Sequence, residues 1–235
     1  MISRQNLTRY LCVFLCQLLA IATLIRVWGQ HSRMLLAFVT ILLILLPELL
    51  QQLFRCRICL PVYLFALFYA LGPMLGHCHN FYFRFTYWDK LLHIMGGIMF
   101  VILGIYLFSL MGGGDKKRLA CGVFALCFSV AVAVIWEFFE FGMDQVFSFD
   151  MQSDTVITTI ISYALGTATG DPATVGNIAD VSVNGQPLPF RGYLDIGLLD
   201  TMADMLLETA GALLTTILFF LDRGRHRLIQ PKEIS

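Results

Sequence analysis

Six long apolar runs constrain this chain more than any other feature of its sequence. Each run is close to the 20 or so residues that a helix needs to cross the hydrocarbon core of a bilayer. The runs fall at about residues 10–28, 34–54, 58–75, 90–110, 119–141 and 198–221. Only 14% of the residues are charged, whereas soluble domains carry about 25%. The sequence therefore predicts an all-α, polytopic membrane protein, in which residues 1–235 form one six-transmembrane-helix bundle.

One long polar segment, residues 142–197, separates the fifth run from the sixth. It is rich in Gly, Thr, Asp and Asn, and it is predicted to be an extracytoplasmic loop. Within it, Thr155–Leu165 is a candidate interfacial helix, and Val183, Asn184, Gly185 and Gln186 predict a tight turn. The first apolar run is too long for a cleaved signal peptide and lacks a small-residue cleavage site, so we expect it to remain as a helix.

The basic residues predict the orientation of the helices in the membrane. In a six-crossing arrangement, eleven of the 16 lysines and arginines fall on one side. These are Arg4, Arg9, Arg55, Arg57, Lys116, Lys117, Arg118, Arg223, Arg225, Arg227 and Lys232. Cytoplasmic loops of membrane proteins carry the excess of basic residues. We therefore expect a multi-pass protein of the inner (plasma) membrane with both termini in the cytoplasm.

Acidic residues and one histidine gather at the predicted outer ends of helices four, five and six. Helix four begins with Asp89 and His93, helix five ends with Glu137, Glu140 and Asp144, and helix six begins with Asp200, Asp204 and Glu208. Within each set the spacing of three or four residues places the side chains on one helical face. Because the topology brings all three ends to the same side, we expect these groups to converge there.

Each acidic position also has a purely structural interpretation. Asp89, Asp144 and Asp200 suit solvated helix ends, and Asp89 and Asp200 favour a helix N-terminus through capping and the helix dipole. Glu137, Asp204 and Glu208 are flanked by apolar residues on both sides, and ionisable groups inside a membrane usually serve a function. Two pairs of small residues follow the inner groups, and we expect them to allow close helix packing; they are Gly96-Gly97 and Gly211-Ala212.

Several carboxylates in one site cannot all remain ionised without a cation, a proton or a basic partner. The nearby basic residues, Lys90, Arg84 and Arg191, are too few to neutralise the acids. A bound divalent metal ion is therefore the predicted cofactor. Oxygen-rich ligation with one imidazole suits Mg²⁺, Mn²⁺, Ca²⁺ or Zn²⁺ about equally. The predicted ligands are Asp89, His93, Glu137, Glu140, Asp144, Asp200, Asp204 and Glu208.

Three motifs carry a resemblance to a known family. They are Trp88-Asp89-Lys90-Leu91-Leu92-His93, Trp136-Glu137-Phe138-Phe139-Glu140, and Asp200-Thr201-Met202-Ala203-Asp204-Met205 followed by Gly211-Ala212. The chain resembles the YjdF-like family of uncharacterised bacterial inner-membrane proteins and, more distantly, VanZ-like proteins. The resemblance implies a helical architecture and a role at the cell envelope, without an established activity. Residues 154–193 depart from the family, in which the link between the last two helices is shorter.

Three classes of function are consistent with this pattern. The first is a metal-assisted hydrolase or transferase acting on a lipid-linked or envelope substrate, with His93 or Glu140 as general base and Lys90, Arg84 and Arg191 contacting the substrate. The second is a proton- or cation-coupled transporter, which the concentration of acids at one level and the lack of repeats disfavour. The third is a structural or regulatory envelope protein whose metal clamps helices together. The expected partners are the lipid bilayer and a lipid-linked substrate, and no nucleic acid is expected.

Overall fold

A computed structural model describes residues 4–53, 56–112, 117–166, 170–222 and 232–233 of the chain. Helices dominate these residues. They are α1 (Arg4–Arg26), α2 (His31–Leu53), α3 (Leu60–Cys78), α4 (Phe81–Arg84), α5 (Trp88–Leu110), α6 (Arg118–Phe147) and α7 (Leu198–Leu221). Six of them, all except the short α4, are long and apolar enough to cross a membrane. The predicted helical class with six candidate crossings is confirmed.

Two helices extend further than the apolar runs. Helix α1 begins at Arg4 and α6 continues to Phe147, each several residues beyond the predicted limit. The predicted helix limits are the positions at which the hydropathy falls. Helical backbone hydrogen bonds, however, form through polar residues as readily as through apolar ones. One consequence is that Asp144 lies inside α6.

The surfaces of the long helices are apolar. Large side chains such as Phe14, Ile135 and Leu206 are more than half exposed, at 63%, 64% and 70%. Soluble monomers rarely expose continuous apolar surface on this scale, and a bilayer covers such surface without cost. The chain is a multi-pass membrane protein. Five of the eleven basic residues that predict its orientation lie outside the described residues, namely Arg55, Lys116, Arg223, Arg225 and Arg227. The cytoplasmic placement of the termini stays a prediction.

The chain divides into two compact units. The larger comprises Met1–Ala133 and Leu206–Ser235, and the smaller comprises Val134–Met205. The boundaries between the units fall within two helices, between Ala133 and Val134 of α6 and between Met205 and Leu206 of α7. The prediction that residues 1–235 form a single membrane domain stays a prediction.

In the larger unit, α1, α2 and α3 enclose one apolar core. Ile44, Tyr63 and Met74 are fully buried in it. The buried Arg9 of α1 ties the helix ends together, because its guanidinium donates to Gln51 Oε1 at 3.1 Å and to the carbonyl of Ile58. The same guanidinium lies 5.2 Å from the centre of the Tyr63 ring, a favourable cation–π distance. A two-residue antiparallel pair joins β1 (Cys56–Arg57) to β8 (Lys232–Glu233).

The other helices of the larger unit pack through small residues. A side chain at Gly104 of α5 would meet the backbone of Ala125 in α6. The Ser129 hydroxyl of α6 donates to the carbonyl of Gly97 at 3.2 Å. The indole nitrogen of Trp88, at the start of α5, donates to the carbonyl of Gly72 in α3 at 3.1 Å. These contacts fix the first turns of α5, where the candidate site residues begin.

The smaller unit contains the loop between α6 and α7, which forms short antiparallel strand pairs. Strand β2 (Val156–Ile157) pairs with β7 (Tyr193–Leu194), β3 (Ile160–Ser162) with β4 (Ala173–Val175), and β5 (Ser182–Val183) with β6 (Gln186–Pro187). The turn between β5 and β6 has Asn184 and Gly185 at positive φ, 52° and 78°, so the predicted tight turn is confirmed.

The predicted interfacial helix at Thr155–Leu165 is wrong. This stretch forms β2, β3 and a single 3-10 turn at Tyr163–Leu165. Its β-branched residues, which pack well on a pleated surface, favour strands over a helix. The strand partners lie between 11 and 38 residues away in sequence, and local apolar periodicity carries no information about them.

Asp195 connects this loop to the start of α7, and we expect Asp195→Ala to loosen both. Its carboxylate accepts hydrogen bonds from the backbone nitrogen of Thr155 at 2.8 Å and of Leu199 at 2.7 Å. Burial raises the pKa of Asp195, but the backbone hydrogen bonds outweigh it and hold the pKa below its usual value. Loss of a capping carboxylate typically costs about 0.5–2 kcal/mol.

The expected pH dependence follows from this lowered pKa. The contribution of Asp195 is present above the pKa of about 3.9 of an unfolded aspartate and is lost as the pH falls through the lower folded value. Thermal unfolding of the wild type and Asp195→Ala should therefore differ at neutral pH and converge in acid. Asp180→Ala, an exposed loop residue, is the matched control. Equal melting temperatures for all three proteins at neutral pH would refute this role.

Candidate metal centre

His93 is buried near the beginning of α5, between two carboxylates. Its Nδ1 lies 3.6 Å from Glu208 Oε2 of α7, and its Nε2 lies 3.8 Å from Asp89 Oδ1, one turn earlier in α5. Both distances are longer than a direct hydrogen bond. The side chains of His93 and Glu208 are only 7% and 6% exposed. The larger unit thus places an imidazole and a carboxylate face to face in a site closed to solvent.

Glu208 is the most unusual group in this arrangement. Its Oε1 is fully buried and has no hydrogen-bond partner within the described part of the chain. Buried polar atoms are nearly always hydrogen-bonded, and a buried charge without compensation is costly. A carboxylate oxygen that accepts no hydrogen bond in a closed site beside an imidazole is therefore a strong indication of a ligand.

Three glycines bring the two helices together at this point. A side chain at Gly97 would overlap the carbonyl oxygen of Glu208, and one at Gly211 would overlap the carbonyl oxygen of Ile94. A Cβ at Gly96 would lie 3.3 Å from Glu208 Oε1. The predicted close helix packing at these small residues is confirmed. Because α7 runs against α5 here, the Glu208 carboxylate is directed at the first turns of α5.

The separation between the two groups suits ligation of one ion. Metal–ligand bonds of about 2.0–2.1 Å in a tetrahedral arrangement place neighbouring ligand atoms about 3.4 Å apart. The 3.6 Å between His93 Nδ1 and Glu208 Oε2 is close to this value. The other ring nitrogen faces Asp89, and a ligating histidine commonly directs its second nitrogen at a carboxylate that orients it. Lys90 Nζ, 3.2 Å from Asp89 Oδ2, balances the charge of that carboxylate.

The smaller unit contains further buried carboxylates among the predicted site residues. Glu137, Glu140 and Asp204 are 5%, 7% and 1% exposed. The indole nitrogen of Trp136 donates to Glu140 Oε1 at 2.9 Å, one turn away in α6. All three carboxylates, like His93, are buried groups of a type that can ligate a metal ion. Their burial excludes the interpretation that they are a solvated face.

Asp144 and Asp200 have a different environment. The Asp144 carboxylate accepts hydrogen bonds from the backbone nitrogens of Met151 at 2.7 Å and Gln152 at 2.9 Å, and Asp200 accepts one from Ser153 at 2.9 Å. These contacts hold the beginning of the loop against the ends of the two helices. Anchoring of the loop accounts for both residues without a metal.

Asp150 belongs to the same end of the loop and was not among the predicted residues. Burial raises its pKa, and the charges of Asp154, Asp144 and Asp200 raise it further. In the sequence only Asp154, four residues later, indicates an acidic neighbour of Asp150. The influence of Asp144 and Asp200 depends on the fold of the loop.

The basic residues predicted to contact a substrate are distributed over both units. Lys90 lies beside Asp89 at the start of α5, whereas Arg84 ends the short α4 and is exposed. Arg191 is exposed in the loop of the smaller unit. Of the three, Lys90 is the one that adjoins the His93 site within the larger unit.

Comparison with known proteins identifies a family but no characterised relative. No curated protein and no solved structure matches the chain. A family model described as "Predicted membrane protein (DUF2238)" matches residues 9–225. The match runs from the second turn of α1 past the end of α7, and therefore includes every candidate site residue. The chain belongs to the DUF2238 family of predicted membrane proteins.

Proposed function

We propose that this protein binds a divalent cation through His93 and Glu208, and that the cation serves hydrolysis or group transfer on a lipid-linked or envelope substrate. The observation that carries the proposal is the buried Glu208 Oε1, which accepts no hydrogen bond from the described residues. A divalent cation supplies the missing partner and offsets the desolvated charge. The ligand-like spacing to His93 Nδ1 supports the same assignment.

Further ligands are proposed from the order and spacing of the helices in the sequence. They are Glu137 and Asp204. Asp89, which faces the other ring nitrogen of His93, is proposed to orient that ring, and Glu140 is proposed as the general base. Asp144 and Asp200, also predicted as ligands, are left out of the proposed set, because their carboxylates already accept backbone hydrogen bonds. One nitrogen ligand among oxygens suits Mg²⁺, Mn²⁺, Ca²⁺ and Zn²⁺.

The proposed chemistry uses the cation as a Lewis acid. Such an ion polarises a phosphoryl or carbonyl oxygen and lowers the pKa of a bound water. With the His93 ring engaged as a ligand, the general base is Glu140, which the Trp136 indole holds in position. Lys90, Arg84 and Arg191 are proposed to bind the anionic part of the substrate.

A second candidate function is a structural clamp by the same ion. The close approach of α5 and α7 at Gly97 and Gly211 favours it, because a site between tightly packed helices has little room to change shape. Catalysis and clamping differ in one result. Manganese-dependent release of phosphate from membrane lipid extracts, lost in Glu140→Gln, would support the enzyme, whereas a metal that stabilises the protein without turnover would support the clamp.

Within the family, we propose that the chain is YjdF-like, as its three motifs suggest. The more distant similarity to VanZ-like proteins supports a role at the cell envelope. The excess of basic residues on the predicted inner side supports an inner-membrane location with both termini in the cytoplasm.

Metal content tests the proposal. The full chain, purified in mild detergent and measured by inductively coupled plasma mass spectrometry, is expected to carry about one divalent ion, as one dominant site implies. Glu208→Gln, which keeps the shape of the side chain but removes its charge, is expected to lose most of that ion. Glu48→Gln is the matched control, since Glu48 lies in α2 of the same unit and contacts Gln51 instead. Metal-free wild type whose melting temperature no divalent ion raises would exclude the site.

A further inference from the structure

Three segments of the larger unit meet around Cys78, at the end of the helices opposite to Arg9. The Arg26 guanidinium, at the end of α1, donates to the carbonyl of Cys78. The Cys78 thiol contacts the carbonyl of Arg33, in the first turn of α2, at 3.7 Å. The neighbouring His79 ring places Nε2 2.9 Å from the Thr23 hydroxyl of α1. The end of α1, the start of α2 and the end of α3 are thus held in one place.

This junction concentrates positive charge. Burial lowers the pKa of His79, and the positive charges of Arg26 and Arg84 lower it further. The backbone carbonyl of Arg33 contacts the Cys78 thiol, and the Arg33 guanidinium donates to Gln30 Oε1 at 2.9 Å. Among the residues that the structure describes, no carboxylate forms a salt bridge with Arg26, Arg33 or Arg84. Three arginines therefore lie at this end of the larger unit without a salt bridge to a described carboxylate.

Exposed aromatic side chains lie close in sequence to Arg26 and Arg84. Trp28, between α1 and α2, is 76% exposed, and Phe83 and Tyr87, in and after α4, are 89% and 77% exposed. Trp and Tyr in such positions lie at the headgroup level of a membrane. The arginines are thus placed where lipid phosphates are found, at the predicted extracytoplasmic end of the helices.

We propose that Arg26, Arg33 and Arg84 form a binding site for the phosphate group of an anionic membrane lipid, with Trp28, Phe83 and Tyr87 at its rim. The planar guanidinium matches the phosphate geometry with paired hydrogen bonds. The exposed aromatic side chains favour a lipid headgroup over a soluble phosphate, because they fix the site at the membrane interface. The site contains no proposed ligand of the cation and does not depend on it. It shares only Arg84 with the residues that are proposed to bind the substrate.

Lipid-dependent thermal stability tests this site. The full chain in mild detergent is titrated with phosphatidylglycerol, with neutral phosphatidylcholine and with inorganic phosphate, and its melting temperature is followed. Phosphatidylglycerol is expected to stabilise the wild type at lower concentration than the other two. Arg84→Gln is expected to weaken this effect about tenfold, because one charge-assisted hydrogen bond typically accounts for that much. Arg84 is exposed, so its replacement leaves the fold intact.

Two further variants make the test specific. Arg84→Lys keeps the charge and is expected to retain part of the affinity. Lys117→Gln removes an exposed charge immediately before α6 and is expected to bind phosphatidylglycerol like the wild type. Equal weakening in Lys117→Gln and Arg84→Gln would overturn the site, since it would show a general charge effect. Stabilisation by inorganic phosphate at the same concentration as by the lipid would overturn the assignment to a lipid.

Discussion

Replacing Gly97 by alanine is expected to destabilise the protein more than any other single methyl addition among the described helices. The new Cβ would overlap the carbonyl oxygen of Glu208 and lie 2.9 Å from the backbone nitrogen of Ala212. Backbone atoms of a packed helix cannot rotate away as a side chain can. Overpacking a core typically costs about 1–3 kcal/mol, and here we expect the upper end or more. For a chain of this size that corresponds to a fall in melting temperature of about 6–12 °C.

Gly142→Ala is the control for this prediction. Gly142 also lies within a long helix, but a Cβ there meets nothing within 4 Å. Alanine is favoured over glycine in a helix interior by about 0.5–1 kcal/mol, so this variant should match or exceed the wild-type melting temperature. A Gly97→Ala protein as stable as Gly142→Ala would contradict the close approach of α5 and α7.

The second large effect is a change in the relative stability of the wild type and Glu208→Gln when a metal ion is added. In the presence of a chelator, Glu208→Gln is expected to be at least as stable as the wild type, because it removes a buried charge whose Oε1 accepts no hydrogen bond from the described residues. An ion present at a hundred times its dissociation constant stabilises a protein by about 2.7 kcal/mol. The wild type should therefore gain about 5–11 °C in melting temperature, and Glu208→Gln should gain almost nothing.

This reversal separates a metal ligand from a carboxylate that only packs. If Glu208 served the fold through protein contacts alone, Glu208→Gln would be less stable than the wild type with and without metal. Parallel curves for the two proteins across a titration of Mn²⁺ or Zn²⁺ would therefore reject the ligand role. Glu48→Gln, in the same unit, should respond to the ions like the wild type.

The crossing helices could be predicted from the sequence because length and hydropathy are properties of a continuous stretch. The helix limits do not follow from hydropathy alone, because α6 continues to Phe147 through polar residues whose backbone hydrogen bonds form equally well. The loop could not be predicted in the same way. Its strands β2 and β3 pair with segments further along the chain. The local residue pattern of Thr155–Leu165 does not contain these partners and therefore wrongly predicts a helix.

The candidate site could be predicted only in part. The i, i+4 spacing of Asp89 and His93 places them on one face of any helix, and the structure has them 3.8 Å apart. The contact between His93 and Glu208 depends on Gly97 and Gly211, which set the distance between α5 and α7. The junction of Arg26, Cys78 and Arg33 left no local signal, because its members belong to three different helices.

Anomalous scattering from protein crystals grown with Mn²⁺ or Zn²⁺ tests the central claim most directly. The account predicts a peak within about 2.0–2.3 Å of His93 Nδ1 and of a Glu208 carboxylate oxygen, present in the wild type and missing in Glu208→Gln. A wild-type map with no peak at these two side chains, or with His93 and Glu208 in direct hydrogen-bonded contact, would contradict it.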